Sequence, residues 1–97
     1  MATTCKTIWK FPLKSENGVQ FIDPPDYDAK VLSLGIQDEA FVVWVELTPE
    51  PAISAGHYPK ALAIIGTGHS FPAGEKWAYV NTIQDGPFVW HLYEALA

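Results

Sequence analysis

The segment Gly66-Thr67-Gly68-His69 has the residue types that best suit ligand chemistry. Glycines allow backbone N–H groups to approach an anion closely, and the Thr67 hydroxyl adds a donor. A Walker loop is excluded because no Gly-Lys-Ser/Thr ending follows, and a Rossmann fingerprint is excluded because Pro72 comes soon after. The segment is therefore either an ordinary strand-ending turn or a cradle for an anion.

Catalytic and metal-binding patterns are missing from the sequence. The histidines, His57, His69 and His91, do not share the spacing that puts two ligands on one element, and Cys5 is remote, so zinc is not supported. Ser70 adjoins His69 in sequence alone, without an orienting acid. The aspartates at 23, 26 and 28 lack the spacing of a calcium loop. We expect no metal, no cofactor and no enzymatic activity.

Aromatic residues are abundant, with four Trp, four Tyr and five Phe. Such rings sandwich nucleobases, and they also fill the cores of small β domains. Alternation places Trp9 on the face of Phe11, which favours the core, and Lys10 on the opposite face. Trp44 and Trp90 lie on strands that are apolar on both faces, which favours an interface or a pocket. His91 is either a hydrogen-bonded structural residue or a ligand contact.

The composition limits the partners. The net charge is −5, and the six basic residues are all lysines, which argues against binding duplex nucleic acid. Apolar residues make up 48% of the chain and charged residues 18%. Such a surface is often covered between subunits, so we expect a homo-oligomer, a dimer or a tetramer.

The single cysteine, Cys5, fits a reducing compartment. The first residues lack the apolar core of a signal peptide, and no apolar run approaches the ~20 residues of a membrane span. We therefore expect a cytoplasmic protein that does not contact a membrane.

Eight prolines interrupt the chain, and runs rich in β-branched and aromatic residues lie between them. Seven strands are predicted, at residues 6–13, 19–22, 29–36, 40–48, 58–66, 76–83 and 87–94. Turns are expected at 37–39 and at Asp85-Gly86. The pattern predicts one all-β domain over residues 1–97, a small antiparallel β-sandwich or compact barrel of about seven strands. A sheet with one helix, at 26–34 or 90–97, is the alternative.

Three segments of the sequence together resemble a known family. They are Thr7-Ile8-Trp9-Lys10-Phe11, then Ile64-Ile65-Gly66-Thr67-Gly68-His69, and finally Val89-Trp90-His91-Leu92-Tyr93-Glu94. The pattern is similar to a widespread family of roughly 100-residue bacteriophage and prophage proteins of unknown function. Where that family often has a longer acidic segment, this chain has residues 52–58.

The resemblance implies a phage-encoded sponge of the anti-CBASS type. Such a protein binds a cyclic dinucleotide or a cyclic ADP-ribose-type signal in the host bacterial cytoplasm without cleaving it. Bases would stack on aromatic rings, and phosphates would meet the N–H groups of residues 66–69 and a lysine. The expected ligand-binding residues are Lys10, Trp9, Trp44, Gly66, Thr67, Gly68, His69 and His91.

Two other functions stay open at this point. One is that the protein inhibits a host protein by direct contact through an exposed strand edge. The other is that it is a minor structural component of the virion.

Overall fold

The computed structural model describes residues 5–25, 28–48, 59–71 and 76–96. These residues form seven strands and no helix. The strands are β1 (Thr7–Leu13), β2 (Gly18–Ile22), β3 (Lys30–Gln37), β4 (Ala40–Leu47), β5 (Lys60–Gly66), β6 (Trp77–Asp85) and β7 (Phe88–Ala95).

Each predicted strand is present, and its ends differ from the prediction by at most two residues. Residue 58, the predicted start of the fifth strand, lies outside the described residues. The helical alternative is wrong, because residues 30–37 and 88–95 are strands. The turn expected at 37–39 is narrower than predicted, since Gln37 still pairs with Ala40 and the loop is Asp38 and Glu39. The second hairpin loop is Gly86 and Pro87, because Asp85 pairs with Phe88.

The strands form two antiparallel sheets that pack as a β-sandwich. The three-stranded sheet has the order β1-β4-β3, and the four-stranded sheet has the order β2-β5-β7-β6. The chain crosses between the sheets after β1, after β2 and after β4. Strand β4 is central, as its two apolar faces predict.

The core lies between the two sheets. Side chains that face each other across it include Phe41, Val43 and Val45 of β4 and Leu62 and Ile64 of β5, all at most 2% exposed. These residues alternate along their strands, so the neighbouring positions point away from the core. Strand pairing extends the same alternation to the other strands, because directly opposed residues share a face.

A side chain on β6 pairs with the backbone of β3 across the sandwich. The Leu34 N–H donates to Asn81 Oδ1 at 2.8 Å, and Asn81 Nδ2 donates to the Leu34 carbonyl at 2.9 Å. Leu34 is 2% exposed and β3 is an edge strand, so the Asn81 amide satisfies two backbone groups that would otherwise be unpaired.

The outer face of the four-stranded sheet is apolar along β2 and β5. Val19 and Phe21 on β2 are 42% and 69% exposed. Their Cα partners on β5 are the small residues Ala63 and Ala61. Because β2 is an edge strand, this part of the surface is open to contact with another molecule.

No helix in the described part of the chain is long and apolar enough to cross a membrane.

Candidate functional site

The 66–69 loop (Gly66, Thr67, Gly68 and His69) follows β5 at one end of the four-stranded sheet. The His69 N–H donates to the Gly66 carbonyl at 3.0 Å, and this hydrogen bond closes a turn. The backbone at Gly68 has a φ of 94°, a value that side-chain-bearing residues rarely adopt. The sequence therefore folds this loop tightly, with glycine where the backbone needs it.

The loop N–H groups are mostly engaged within the chain. The Gly66 N–H donates to Asn17 Oδ1 at 2.6 Å, and the Thr67 N–H donates to the Val89 carbonyl at 3.0 Å. The expectation that phosphate meets all the N–H groups of 66–69 is therefore too broad. Among the described contacts, Gly68 has the one loop N–H left for a ligand.

The Thr67 hydroxyl begins a chain of polar contacts across the outer face of the four-stranded sheet. Thr67 Oγ1 lies 2.8 Å from His91 Nε2, and His91 Nδ1 lies 2.9 Å from Thr82 Oγ1. The Tyr79 hydroxyl lies 2.7 Å from Thr82 Oγ1. A neutral imidazole has one N–H and one lone-pair nitrogen, so one threonine donates to the ring and the other accepts from it. His91 is thereby held in one orientation beside the loop.

A groove of about 680 Å³ lies on one side of the loop. Its described walls come from the β1–β2 connection, the 66–69 loop and the β6–β7 hairpin. The Phe88 ring, 62% exposed, and the Trp90 ring provide apolar surface. The polar side chains in the wall are Ser15, Asn17, Thr67, His69 and Asp85.

A smaller hollow of about 220 Å³ lies on the other side of the loop, over the outer face of the sheet. Its described walls include the 66–69 loop, His91 and two aromatic rings. Those rings, Phe71 and Tyr93, pack with centroids 4.9 Å apart. Gly66, Thr67 and His69 line both the groove and the hollow, so the loop separates two adjoining depressions.

Three of the sequence-predicted site residues lie away from the loop. Lys10 points outward from the three-stranded sheet, and its ammonium group donates to Gln37 Oε1. Trp44 is on the same outer face, and its ring lies over Gly35. Trp9 is on the inner face near Phe11, with ring centroids 6.3 Å apart, but it is 46% exposed, so the expectation that it belongs to the core is wrong. The structure brings together Gly66, Thr67, Gly68, His69 and His91, and it places Lys10, Trp9 and Trp44 on the other sheet.

Neither depression has a lysine among its described lining residues. Lys6 and Lys60 pair with Glu46 and Glu94, at 3.4 and 3.5 Å. No group of three or more His, Cys, Asp or Glu side chains in the described part of the chain is arranged to hold a metal ion. His57 and Asp26 lie outside the described residues.

Sequence reasoning missed several residues of this site, including Asn17, Phe71, Thr82, Asp85 and Phe88. The Asn17 side chain accepts a hydrogen bond from Gly66, which is 49 positions later in the chain, and His91 contacts Thr67, which is 24 positions earlier. Both contacts depend on which strands are neighbours in the sheet. The signal in the sequence was Phe88, an aromatic residue that directly follows Gly86-Pro87. A side chain next to a hairpin turn commonly lies in the solvent.

Comparison with known families finds a match over nearly the whole chain. A family model described as a domain of unknown function, DUF7352, matches residues 4–97. The chain belongs to the DUF7352 family. No curated protein matches the chain, and no solved structure does either. For this DUF7352 domain, the geometry of the loop and its two depressions is therefore the observation that bears on function.

Proposed function

We propose that this DUF7352 domain binds a nucleotide-type small molecule at the 66–69 loop and holds it without cleaving it. The specific form of the proposal is a phage-encoded sponge that sequesters cyclic nucleotide signals in the host bacterial cytoplasm. The observation that carries the proposal is the pair of depressions that share the loop, because one suits a base and the other suits a phosphate.

The larger groove supports a base-binding role. Its volume of about 680 Å³ is within the ~300–1,000 Å³ typical of small-molecule sites. The exposed Phe88 ring gives a base a surface on which to stack, and stacking contributes about 1–3 kcal/mol per base.

The smaller hollow supports contact with a phosphate. The Gly68 N–H and the rings of His69 and His91 are located there, and Thr67 offers a hydroxyl. A cyclic nucleotide could cross the loop with its base in the groove and its phosphate in the hollow. This arrangement keeps the phosphate away from the Asp85 carboxylate, which lines the groove.

The contacts of His91 favour binding over hydrolysis. Thr67 and His91 resemble a nucleophile–base pair, because their side chains lie within hydrogen-bond distance. In a hydrolase with such a pair, a carboxylate commonly holds the far nitrogen and stabilises the imidazolium. Here the far nitrogen meets the Thr82 hydroxyl, which is a weaker partner for a positive ring.

A second copy of the chain is part of the proposal. No lysine is present in the described lining of either depression, so further positive charge for a phosphate would come from another subunit. The exposed residues Val19 and Phe21 on the β2 edge give a second copy an apolar surface to contact. Light scattering at micromolar concentration should give a dimer or tetramer, and a monomer would contradict this part of the proposal.

Thermal unfolding in the presence of cyclic dinucleotides and cyclic ADP-ribose derivatives tests the proposal. A ligand at 100 times its Kd stabilises the fold by about 2.7 kcal/mol, which for a domain of this size raises Tm by roughly 10 °C or more. Ligand recovered after heat denaturation should be intact. Recovery of hydrolysed nucleotide would make the protein an enzyme instead, and no stabilisation by any member of the panel would contradict the proposal.

A matched pair of variants locates the binding site. Phe88→Ala removes the exposed ring in the groove and should weaken binding by roughly 5- to 150-fold, the equivalent of about 1–3 kcal/mol. Ile8→Ala is the control, because it removes a large apolar side chain of similar exposure, 58% against 62%, on β1 of the three-stranded sheet, outside both depressions and away from the β2 edge. Equal losses from the two variants would place the ligand elsewhere.

A further inference from the structure

The base-sized groove has one formal charge among its described side chains, and that charge is negative. Asp85 is the last residue of β6, and its Cα partner across the hairpin is Phe88. Directly opposed residues on antiparallel strands share a face, with Cβ atoms about 4.5–5.5 Å apart. A base stacked on the Phe88 ring would therefore have one edge near the Asp85 carboxylate, which can only accept hydrogen bonds when ionised.

A hydrogen-bond donor with a fixed orientation is also present in the groove wall. Asn17 Oδ1 accepts from the Gly66 N–H at 2.6 Å, so the oxygen and the nitrogen of this amide are assigned by their contacts. The Asn17 Nδ2 group makes no hydrogen bond to the described residues. The groove thus combines a bidentate acceptor with a donor whose orientation the loop fixes.

We propose that this groove selects guanine among the nucleobases, an inference that rests on the nucleotide binding proposed above. The Watson–Crick edge of guanine has two adjacent donors, N1–H and the N2 amine, followed by the acceptor O6. Asp85 accepts from both donors, and Asn17 donates to O6. Adenine has an acceptor, N1, beside its N6 amine, so one carboxylate oxygen would face a lone pair.

Nucleotides that differ at the base edge provide the test. GMP, IMP, XMP and AMP are titrated calorimetrically into the full chain, along with cyclic di-GMP and cyclic di-AMP. IMP lacks the N2 amine and should bind about 10- to 100-fold more weakly than GMP, since one charge-assisted hydrogen bond is lost. AMP and cyclic di-AMP should bind more weakly than their guanine counterparts by at least as much.

Replacing the Asp85 carboxylate with a neutral amide should reverse the preference for guanine over xanthine. Asp85→Asn provides a donor opposite the C2 oxygen of xanthine and removes the acceptor pair for guanine, so XMP should bind more tightly than GMP. Asp38→Asn is the matched control, because it makes the same change in an exposed hairpin loop that lines neither depression. Circular dichroism and Tm show that both variants fold.

The outcomes separate this inference from the proposed function. Equal affinities for GMP and AMP, or an unchanged ranking in Asp85→Asn, would overturn guanine selection while nucleotide binding at Phe88 still stands. If none of these probes binds, guanine selection is overturned, and thermal unfolding with cyclic ADP-ribose derivatives then decides the proposed function separately.

Discussion

His91 and Thr67 meet through a 2.8 Å contact between Nε2 and Oγ1, although 24 positions separate them in the chain. The pairing of β5 with β7 creates this contact, because Ile65 lies opposite His91 and Gly66 lies opposite Trp90. The loop that follows β5 is therefore tied to the outer face of β7. Both residues line the smaller hollow.

Removing the Thr67 hydroxyl tests whether this contact serves a ligand. Thr67→Val keeps the side-chain shape and leaves the Thr67 N–H bonded to the Val89 carbonyl, so the loop should persist. Tm should fall by roughly 2–12 °C, because one exposed hydrogen bond contributes about 0.5–1.5 kcal/mol. Affinity for a cyclic nucleotide, measured by calorimetry, should fall about three- to tenfold.

Thr82→Val is the control for that variant. It removes the other hydroxyl bonded to His91, but Thr82 lines neither depression. We expect a smaller loss of affinity than for Thr67→Val. If Thr82→Val weakened binding more, the position of the His91 ring would matter and the Thr67 hydroxyl would not be a ligand contact.

The Asn81 amide should be a large contributor to stability. Asn81→Leu leaves the N–H and the carbonyl of Leu34 unpaired in the core, which should cost about 2–4 kcal/mol in the free energy of unfolding. Urea denaturation measures this cost. Gln84→Leu changes an exposed amide on the same strand and should stay within about 0.5 kcal/mol. Similar effects of the two variants would contradict the role of Asn81.

The Trp44 ring requires a glycine at position 35. A methyl group there would overlap Cζ3 of the ring and lie 2.7 Å from Cη2. Gly35→Ala should therefore destabilise the fold by about 1–3 kcal/mol. In a double-mutant cycle with Trp44→Leu, the cost of Gly35→Ala should fall by at least about 1 kcal/mol. Additive costs would mean that some other contact excludes the methyl group.

The β3–β4 hairpin has two non-glycine residues with left-handed backbone. Asp38 has a φ of 52° and Glu39 a φ of 66°, values expected for the two-residue loop of a type I′ turn. Glu39→Gly should raise the free energy of unfolding by about 0.5–1 kcal/mol, because the side chain's steric cost is removed. Glu39→Ala keeps the Cβ and should change little. A lower Tm for Glu39→Gly would contradict this account of the turn.

The strands were predictable because local signals define them. The alternation of Thr7, Trp9 and Phe11 against Ile8 and Lys10 matches the observed faces of β1. Prolines and turn residues mark the ends of the strands. The narrower loop at Asp38-Glu39 could not be predicted as easily, because its residues are not the glycine and asparagine that this turn usually has.

The composition of the site was less predictable than the strands. The outward direction of His91 follows from alternation, but its partners Thr67 and Thr82 depend on β7 lying between β5 and β6. Lys10 was a reasonable phosphate contact by residue type. Its strand belongs to the other sheet, however, and its ammonium group donates a hydrogen bond to Gln37. Sheet order is a property of the whole chain, and no short segment of sequence specifies it.

The amide spectrum of the protein during titration with cyclic di-GMP tests the central claim most directly. The Gly68 N–H lacks a partner among the described contacts and should shift the most, because a phosphate in the hollow would accept from it. The Thr67 N–H should shift less, since it stays bonded to the Val89 carbonyl. A spectrum in which Gly68 does not move, while the signals of Lys10 and Trp44 do, would contradict ligand binding at the 66–69 loop.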